Sequence, residues 1–200
     1  MKYQKYNLND VKEASAQKKF TVISTFAGGG GSSTGYRLAG GKILCVNEFV
    51  EQARITYKEN YPDTIIMPDD IKQLTGKNFL ETAGIQKGEL DILDGSPPCS
   101  AFSMCGTLGK SGSKHSDGWG KTKKYSDNKV VENIEDLFLE YVRIAKEIQP
   151  KIIVAENVKG ITAGEAKKKL NEFINAFQNI GYDVTYKVMN AAHYGVPQAR

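Results

Sequence analysis

The sequence predicts an α/β fold with a doubly wound, largely parallel sheet. Three observations carry that prediction. Short β-branched runs alternate with stretches of helical apolar spacing along most of the 200 residues, the pattern of parallel strands joined by helical crossovers. The first run is followed at once by four successive glycines, Gly28 to Gly31. The groups able to do chemistry, namely those glycines, Glu48, Asp70, Cys99 and Glu156, all fall at the ends of predicted strands. A doubly wound sheet collects its ligands along that edge.

Composition narrows the class. Two hundred residues make one domain long enough to bury a core. Hydrophobic residues make up 40% and charged residues 25%, ordinary values for a globular protein. No apolar run approaches membrane-spanning length. Residues 1–19 are polar and charged, without the apolar core of a signal peptide. They read as a flexible or peripheral lead-in, and a single domain is expected over residues 20–200. Three cysteines, an odd number without paired metal-ligand spacing, argue for a reducing compartment and against a disulfide framework or a metal centre. The expected location is cytoplasmic. The net charge of +4 permits an anionic partner without demanding one.

The elements follow in order. Phe20 to Ser24 is a short buried strand. The glycines after Phe26 and Ala27 let the backbone pass close to a ligand. Ser32 or Ser33 can cap the next helix, which runs to about Ala39 and ends at Gly40-Gly41. Ile43 to Val46 is the second strand, with Glu48 just past its end. That acid either accepts hydrogen bonds from ribose hydroxyls or is a solvated surface group. Residues 52–61 read as a helix and Thr64 to Met67 as a third strand, followed by Pro68-Asp69-Asp70. Asp70 is either a partner for an adenine amine or a turn and cap residue.

The fourth strand, Leu90 to Leu93, leads into Gly95-Ser96-Pro97-Pro98-Cys99. The prolines fix φ and cannot continue a helix or a central ladder, so Cys99 is presented on a stiff loop. Read alone, it is as well explained as an incidental small hydrophobe. Gly106 to Asn128 is a long polar stretch with Lys110, Lys114, Lys121, Lys123 and Lys124. It suits a polyanionic substrate, or is a plain solvated loop. Residues 130–148 carry an amphipathic helix stopped by Pro150. Lys151 to Ala155 is a strand ending at Glu156-Asn157, Thr162 to Glu165 matches a capping box, and Leu170 to Ile180 forms a helical face. Tyr182 to Met189 reads as a last strand.

Taken together, these stretches resemble the C5-cytosine DNA methyltransferases. F-A-G-G-G-G-S-S-T-G-Y-R-L-A-G resembles the first motif of that family, and Glu48 and Asp70-Ile71 resemble its second and third. G-S-P-P-C-S at 95–100 resembles the catalytic motif, Glu156-Asn157-Val158 the E-N-V motif, and Y-G-V-P-Q-A-R at 194–200 the start of Q-x-R-x-R. The resemblance implies the Rossmann-like fold of S-adenosylmethionine-dependent methyltransferases. It implies a cofactor site formed by Phe26, Ala27, Gly28, Gly30, Glu48, Asp70, Ile71 and Pro97. Cys99 is the implied nucleophile, assisted by Glu156 and Arg200. The implied substrate is cytosine in double-stranded DNA, at the nucleoid in a bacterium.

Two departures stand out. Ser24 lies two residues before Phe26, where the family often has Asp. The sequence reaches only the first arginine of Q-x-R-x-R, at Arg200. The family's target-recognition region and last motifs lie beyond, so the expectation is a truncated chain or one completed by a second polypeptide. Two rival readings accompany this one: methylation of cytosine in RNA, and a non-catalytic remnant or subunit.

Overall fold

The computed structural model describes residues 5–98, 122–124, 130–132, 136–164 and 166–198. Its centre is a five-stranded sheet built from β1 Phe20–Thr25, β2 Gly41–Asn47, β3 Ile65–Met67, β4 Ile92–Gly95 and β7 Ile152–Ala155. Their order across the sheet is β3-β2-β1-β4-β7, and every pairing is parallel. From β1 the chain steps outward to β2 and β3, then returns to the other side of β1 for β4 and β7. The reversal falls between β1 and β4, so the segments leaving those two strands flank the crevice where such sheets bind ligands.

Both faces are covered, as a doubly wound fold requires. Val22 and Ile23 are successive residues of β1, and both are fully buried. Strand alternation sends them to opposite faces. Val22 belongs to a cluster with Val11, Ile43, Val46 and Tyr57. That cluster is closed by helices α1 Leu8–Ser15, α2 Gly31–Leu38 and α3 Glu51–Asn60. Ile23 belongs to a larger cluster with Phe79, Leu93, Tyr141, Ile144 and Phe177, closed by α4 Gly76–Ala83, α5 Asp136–Ile148 and α6 Ala166–Asn179. No helix among the described residues is long and apolar enough to cross a membrane.

Several elements differ from the sequence reading. The lead-in contains α1, started by a capping box in which Asn7 accepts the Asp10 amide and Asp10 accepts the Asn7 amide. Val11 sinks into the core and Ser15 Oγ donates to Gly41 O at 2.8 Å, so this helix is docked on the sheet. A second capping box, Thr75 with Asn78, starts α4, a helix the apolar pattern did not reveal. Of the capping box read at 162–165, Glu165 lies outside the described residues, and Thr162 is not the N-cap of α6. Thr162 Oγ1 donates back to Lys159 O, Gly164 takes a φ of +57°, and α6 starts at Ala166. The helix read over 130–148 starts only at Asp136, because Val130–Glu132 (β6) pairs antiparallel with Thr122–Lys124 (β5).

The predicted strand at Tyr182 to Met189 is absent. Its alternation is visible only at Tyr182 and Val184, which are half-buried, while residues 185–189 are all exposed. Alternating side chains favour a strand, but a strand exists only where a neighbour accepts its ladder. No described strand pairs with this segment. It instead borders a largely apolar groove of about 360 Å³ beside β7, lined by Ile152, Ile153, Phe173, Phe177, Val184 and Tyr186. Along that outer edge Ile152 and Val154 are exposed.

Tyr141 locks the β4–β7 half of the sheet. It is fully buried, and its hydroxyl lies 2.8 Å from Leu93 O and 2.9 Å from Val154 O. One proton serves carbonyls of both β4 and β7. Its ring also explains Gly95, since a Cβ there meets Tyr141 Cε2 at 2.6 Å and Thr25 Oγ1 at 2.7 Å. Tyr141→Phe is expected to lower unfolding free energy by about 1–2 kcal/mol, the cost of leaving buried carbonyls without their donor; urea titration checks it, and an unchanged midpoint contradicts it.

Cys45 is fully buried in the larger cluster. Burial alone pushes its thiol up to about 12. The folded state therefore holds the proton more tightly than the unfolded chain. That contribution to stability is complete below the ordinary thiol pKa of about 8.5–9 and is lost as pH rises toward about 12. At pH 8.5, peptide mapping after treatment with a thiol-specific alkylating reagent is expected to find Cys45 unmodified in the native protein and modified in denaturant. Native labelling as fast as a free thiol contradicts the burial.

Candidate active site

The site is assembled where β1, β2 and β4 end. The chain leaves β1 through Phe26 at φ +53°, then Gly28 at +55° and Gly30 at +94°. A positive φ is costly for Phe26 and easy for glycine. The repeated left-handed steps bend the segment tightly before α2 begins at Gly31. No side chain caps that helix, because its N-cap is Gly30. Neither serine takes the capping role read from the sequence. Ser32 Oγ donates to Asp94 Oδ2 at 2.7 Å, and Ser33 is buried with its hydroxyl unpartnered.

Glu48, at the end of β2, is 7% exposed. Its Oε2 accepts the Gly28 amide at 2.8 Å and its Oε1 accepts the Val50 amide at 2.7 Å. Arg54 Nη1 donates to the carbonyls of Glu48 and Phe49 at 3.3 and 2.5 Å, fixing the turn that carries the carboxylate. Two amide bonds leave lone pairs on the carboxylate for further donors.

Between Glu48 and the glycine segment lies a cavity of about 290 Å³. Its wall includes Phe26, Gly28, Glu48, Phe49, Asp70 and Pro98. Beyond Gly28 a Cβ meets nothing within 4 Å, so the backbone there is open to a ligand. Asp70 is half-buried and accepts the Lys72 amide at 3.0 Å, capping the turn Ile71–Gln73. It is both a cap and a cavity wall, so the two readings of that residue are compatible. Ile71 faces the core, with its side chain 2% exposed in the larger cluster. Ala27 is also buried, and its amide donates to Asn47 O at 3.2 Å. Gly30 backs onto Tyr57, whose ring lies 3.1 Å from where a Cβ would stand. Pro97 is buried and Pro98 lines the cavity.

Across the crevice, Ser96 Oγ donates to Phe26 O at 3.2 Å, tying the proline loop to the glycine loop. Glu156 follows β7, is exposed, and its amide donates to Gly95 O at 2.9 Å. Glu156-Asn157 and Pro97-Pro98 therefore follow adjacent strands. Cys99, Arg200 and the lysines from Lys110 to Lys121 lie outside the described residues.

The sequence reading missed Asp94, which with Glu48 is buried among the described residues. It stands opposite Ser24 in the β1–β4 register. Ser24 Oγ donates to its Oδ2 at 2.7 Å, and Tyr36 Oη to its Oδ1 at 3.2 Å. Burial first, then the Asp94 charge and hydrogen bond, raise the Tyr36 phenol well above its usual range. The signal was an acid inside an otherwise apolar strand. Asp94 brings a carboxylate to Ser24 from the neighbouring strand.

Comparison with known proteins agrees with this geometry. Residues 20–200 match the family described as C-5 cytosine-specific DNA methylase. The chain is 37% identical over 180 residues to the type II methyltransferase M.XorII of Xanthomonas oryzae pv. oryzae, covering 89% of this chain and 38% of that protein. It is 34% identical over 179 residues to M.NgoPII of Neisseria gonorrhoeae, covering 90% of this chain and 45% of that protein. With M.AquIA of Picosynechococcus the identity is 32% over 187 residues, covering 90% of this chain and 68% of that protein. Among solved structures, DNMT2 of Spodoptera frugiperda superposes with a TM-score of 0.51 at 21% identity, over 80% of this chain and 41% of that one. A candidate DNA modification methyltransferase from an E. coli prophage gives 0.60 at 23% identity, over 80% and 38%. These two likenesses carry the fold alone. The chain spans less than half the length of M.XorII and M.NgoPII. On the match over residues 20–200, the chain belongs to the C-5 cytosine-specific DNA methylase family.

Proposed function

We propose that this chain carries the cofactor-binding and catalytic half of an enzyme that transfers a methyl group from S-adenosylmethionine to C5 of cytosine in DNA. The observation that supports it most is the cavity joining Gly28, Glu48 and Asp70 to Pro98, the residue directly before Cys99. Its residue types fit the cofactor. Phe26 and Phe49 offer apolar walls for a purine, Glu48 has acceptor capacity left for ribose hydroxyls, and Asp70 can accept from an adenine amine. When bound there, S-adenosylmethionine supplies an electrophilic methyl on a positively charged sulfur. Ala27, Gly30, Ile71 and Pro97 act from behind, shaping the wall through backbone and packing.

The chain's own residues do the rest. Cytosine C5 is a poor nucleophile. The Cys99 thiolate adds to C6, forming a C–S bond and pushing the ring electrons toward C5. Glu156 holds N3 and the amino group, stabilising the protonated ring as charge develops. Arg200 supplies positive charge near the adduct. C5 takes the methyl as the S–CH3 bond breaks and leaves a neutral thioether. The C5 proton then goes to a base, its electron pair restores the C5–C6 double bond, and the thiolate is expelled. The target atoms are covered inside a duplex, so the base is flipped out, and the basic stretch from Lys110 to Lys124 is suited to close over it. Cys99→Ser is expected to lower methyl transfer from labelled S-adenosylmethionine to duplex DNA by at least a thousandfold with little change in cofactor affinity. Near-normal turnover by that variant removes Cys99 from the mechanism.

The complete enzyme is further proposed to join two segments. Residues 20–200 form the catalytic domain, and target recognition and the last motifs come from further sequence, in the same polypeptide or a second one. Two observations support this: the small share of M.XorII and M.NgoPII that the chain spans, and the apolar groove along β7 with exposed Ile152, Tyr186, Val188 and Met189 beside it. Residues 1–200 alone are expected to methylate DNA at least a hundredfold more slowly than the same chain joined to, or mixed with, the C-terminal segment of a relative such as M.XorII. Equal rates at matched concentration show that the complement is dispensable.

A further inference from the structure

We propose that Asp94 is a positioning residue that holds the cofactor loop in place from the β4 side. This rests on the cofactor reading above and adds a residue to it. The loop from Phe26 to Ser32 is suspended between two buried carboxylates, one just past the end of β2 and one within β4. Glu48, after β2, takes the Gly28 amide at 2.8 Å. Asp94, on β4, takes the hydroxyls of Ser24 and Ser32 at 2.7 Å each and that of Tyr36 at 3.2 Å. These donors come from β1 and from the first two turns of α2, so one carboxylate fixes how the helix leaves the strand. No side-chain cap does this at the helix start, since Gly30 provides none.

The carboxylate is 6% exposed, and no ion pair reaches it among the described residues. A buried charge without a counter-ion survives only where hydrogen bonds and dipoles satisfy it. Three hydroxyls do so here, two of them from positions 32 and 36 on one face of α2. All of its described partners belong to the strand and helix that flank the loop, so its effect is geometric. Gly95 follows directly, and Ser96 then binds Phe26 O. Asp94 thereby couples the loop that receives the methyl donor to the strand that leads to Cys99. Ser24 and Asp94 are register partners, so exchanging them moves the carboxylate across the ladder while keeping the same four groups together.

The experiment compares wild type, Asp94→Asn, Tyr36→Phe and the exchanged double variant Ser24→Asp with Asp94→Ser. Two readings are taken: amide hydrogen exchange over residues 26–36, and calorimetric affinity for S-adenosylmethionine, both well below each variant's melting temperature. Asp94→Asn keeps the size but loses one of the acceptors. It is expected to speed exchange over 26–36 at least tenfold relative to β2 and α3, and to weaken the cofactor at least tenfold. Tyr36→Phe, which removes one bond, moves both readings two- to fourfold. The exchanged variant restores both to within threefold of wild type. A merely structural role lowers the melting temperature without a selective change at 26–36, and gives no rescue by exchange. Unchanged exchange over 26–36 in Asp94→Asn, or a folded exchanged variant that rescues neither reading, overturns the proposal. A wild-type chain that binds no S-adenosylmethionine overturns the cofactor reading instead, and the hydrogen-exchange arm still decides the role of Asp94.

Discussion

The chain turns out of β1 with left-handed backbone at Phe26, Gly28 and Gly30, and such a segment has no ladder or helix of its own to hold it. Its shape comes from outside, through the Glu48 carboxylate on the Gly28 amide and the Ser96 hydroxyl on the Phe26 carbonyl. Those partners are available because β1 is central, with β2 on one side and β4 on the other. A central parallel strand buried on both faces leaves only its carboxyl end free to meet a ligand. The place of the cavity follows from that order, and so does the adjacency of the glycine and P-P-C segments.

The rest of the fold serves to keep that edge fixed. Tyr141 on α5 binds carbonyls of both β4 and β7 from beneath, which sets the two strands leading to Gly95 and Glu156 at one level. Arg143 on the same helix donates to the carbonyls of Ile71 and Leu74 at 3.1 and 2.7 Å, and it pairs with Glu140 and Glu147. It therefore anchors the turn that presents Asp70. A single helix holds the floor under both the β4–β7 edge and the turn that carries Asp70.

Much of this was legible in the sequence because parallel strands are apolar runs and their ends are marked by glycine, proline or acids. β1, β2, β4 and β7 were all read within a few residues, and Phe26, Gly28, Glu48 and Asp70, four of the residues read as cofactor contacts, line one cavity. The failures share a cause, which is that tertiary partners are invisible in a local pattern. α1 and α4 are short and begin with capping boxes rather than a long apolar stripe. Tyr182 to Met189 alternates like a strand but has no described neighbour to pair with. Asp94 fell just past the strand read at Leu90 to Leu93 and was given no role, and its meaning appears only when Ser24, Ser32 and Tyr36 are brought to it from another strand and a helix. Ile71 was read as a cofactor contact, and its side chain is packed into the larger core cluster next to Asp70.

The most direct measurement is a crystal structure of the chain with S-adenosylhomocysteine, which retains the adenosine and amino-acid portions of the methyl donor. The arrangement of the loop and its two flanking strands predicts ribose hydroxyls within hydrogen-bonding distance of the Glu48 carboxylate. It predicts the purine between Phe26 and Phe49 with its amine at Asp70, and the sulfur on the side of Pro98. A nucleoside bound instead in the groove beside β7, or one in the cavity that leaves Glu48 bonded only to Gly28 and Val50, contradicts the assignment of this edge as the cofactor site.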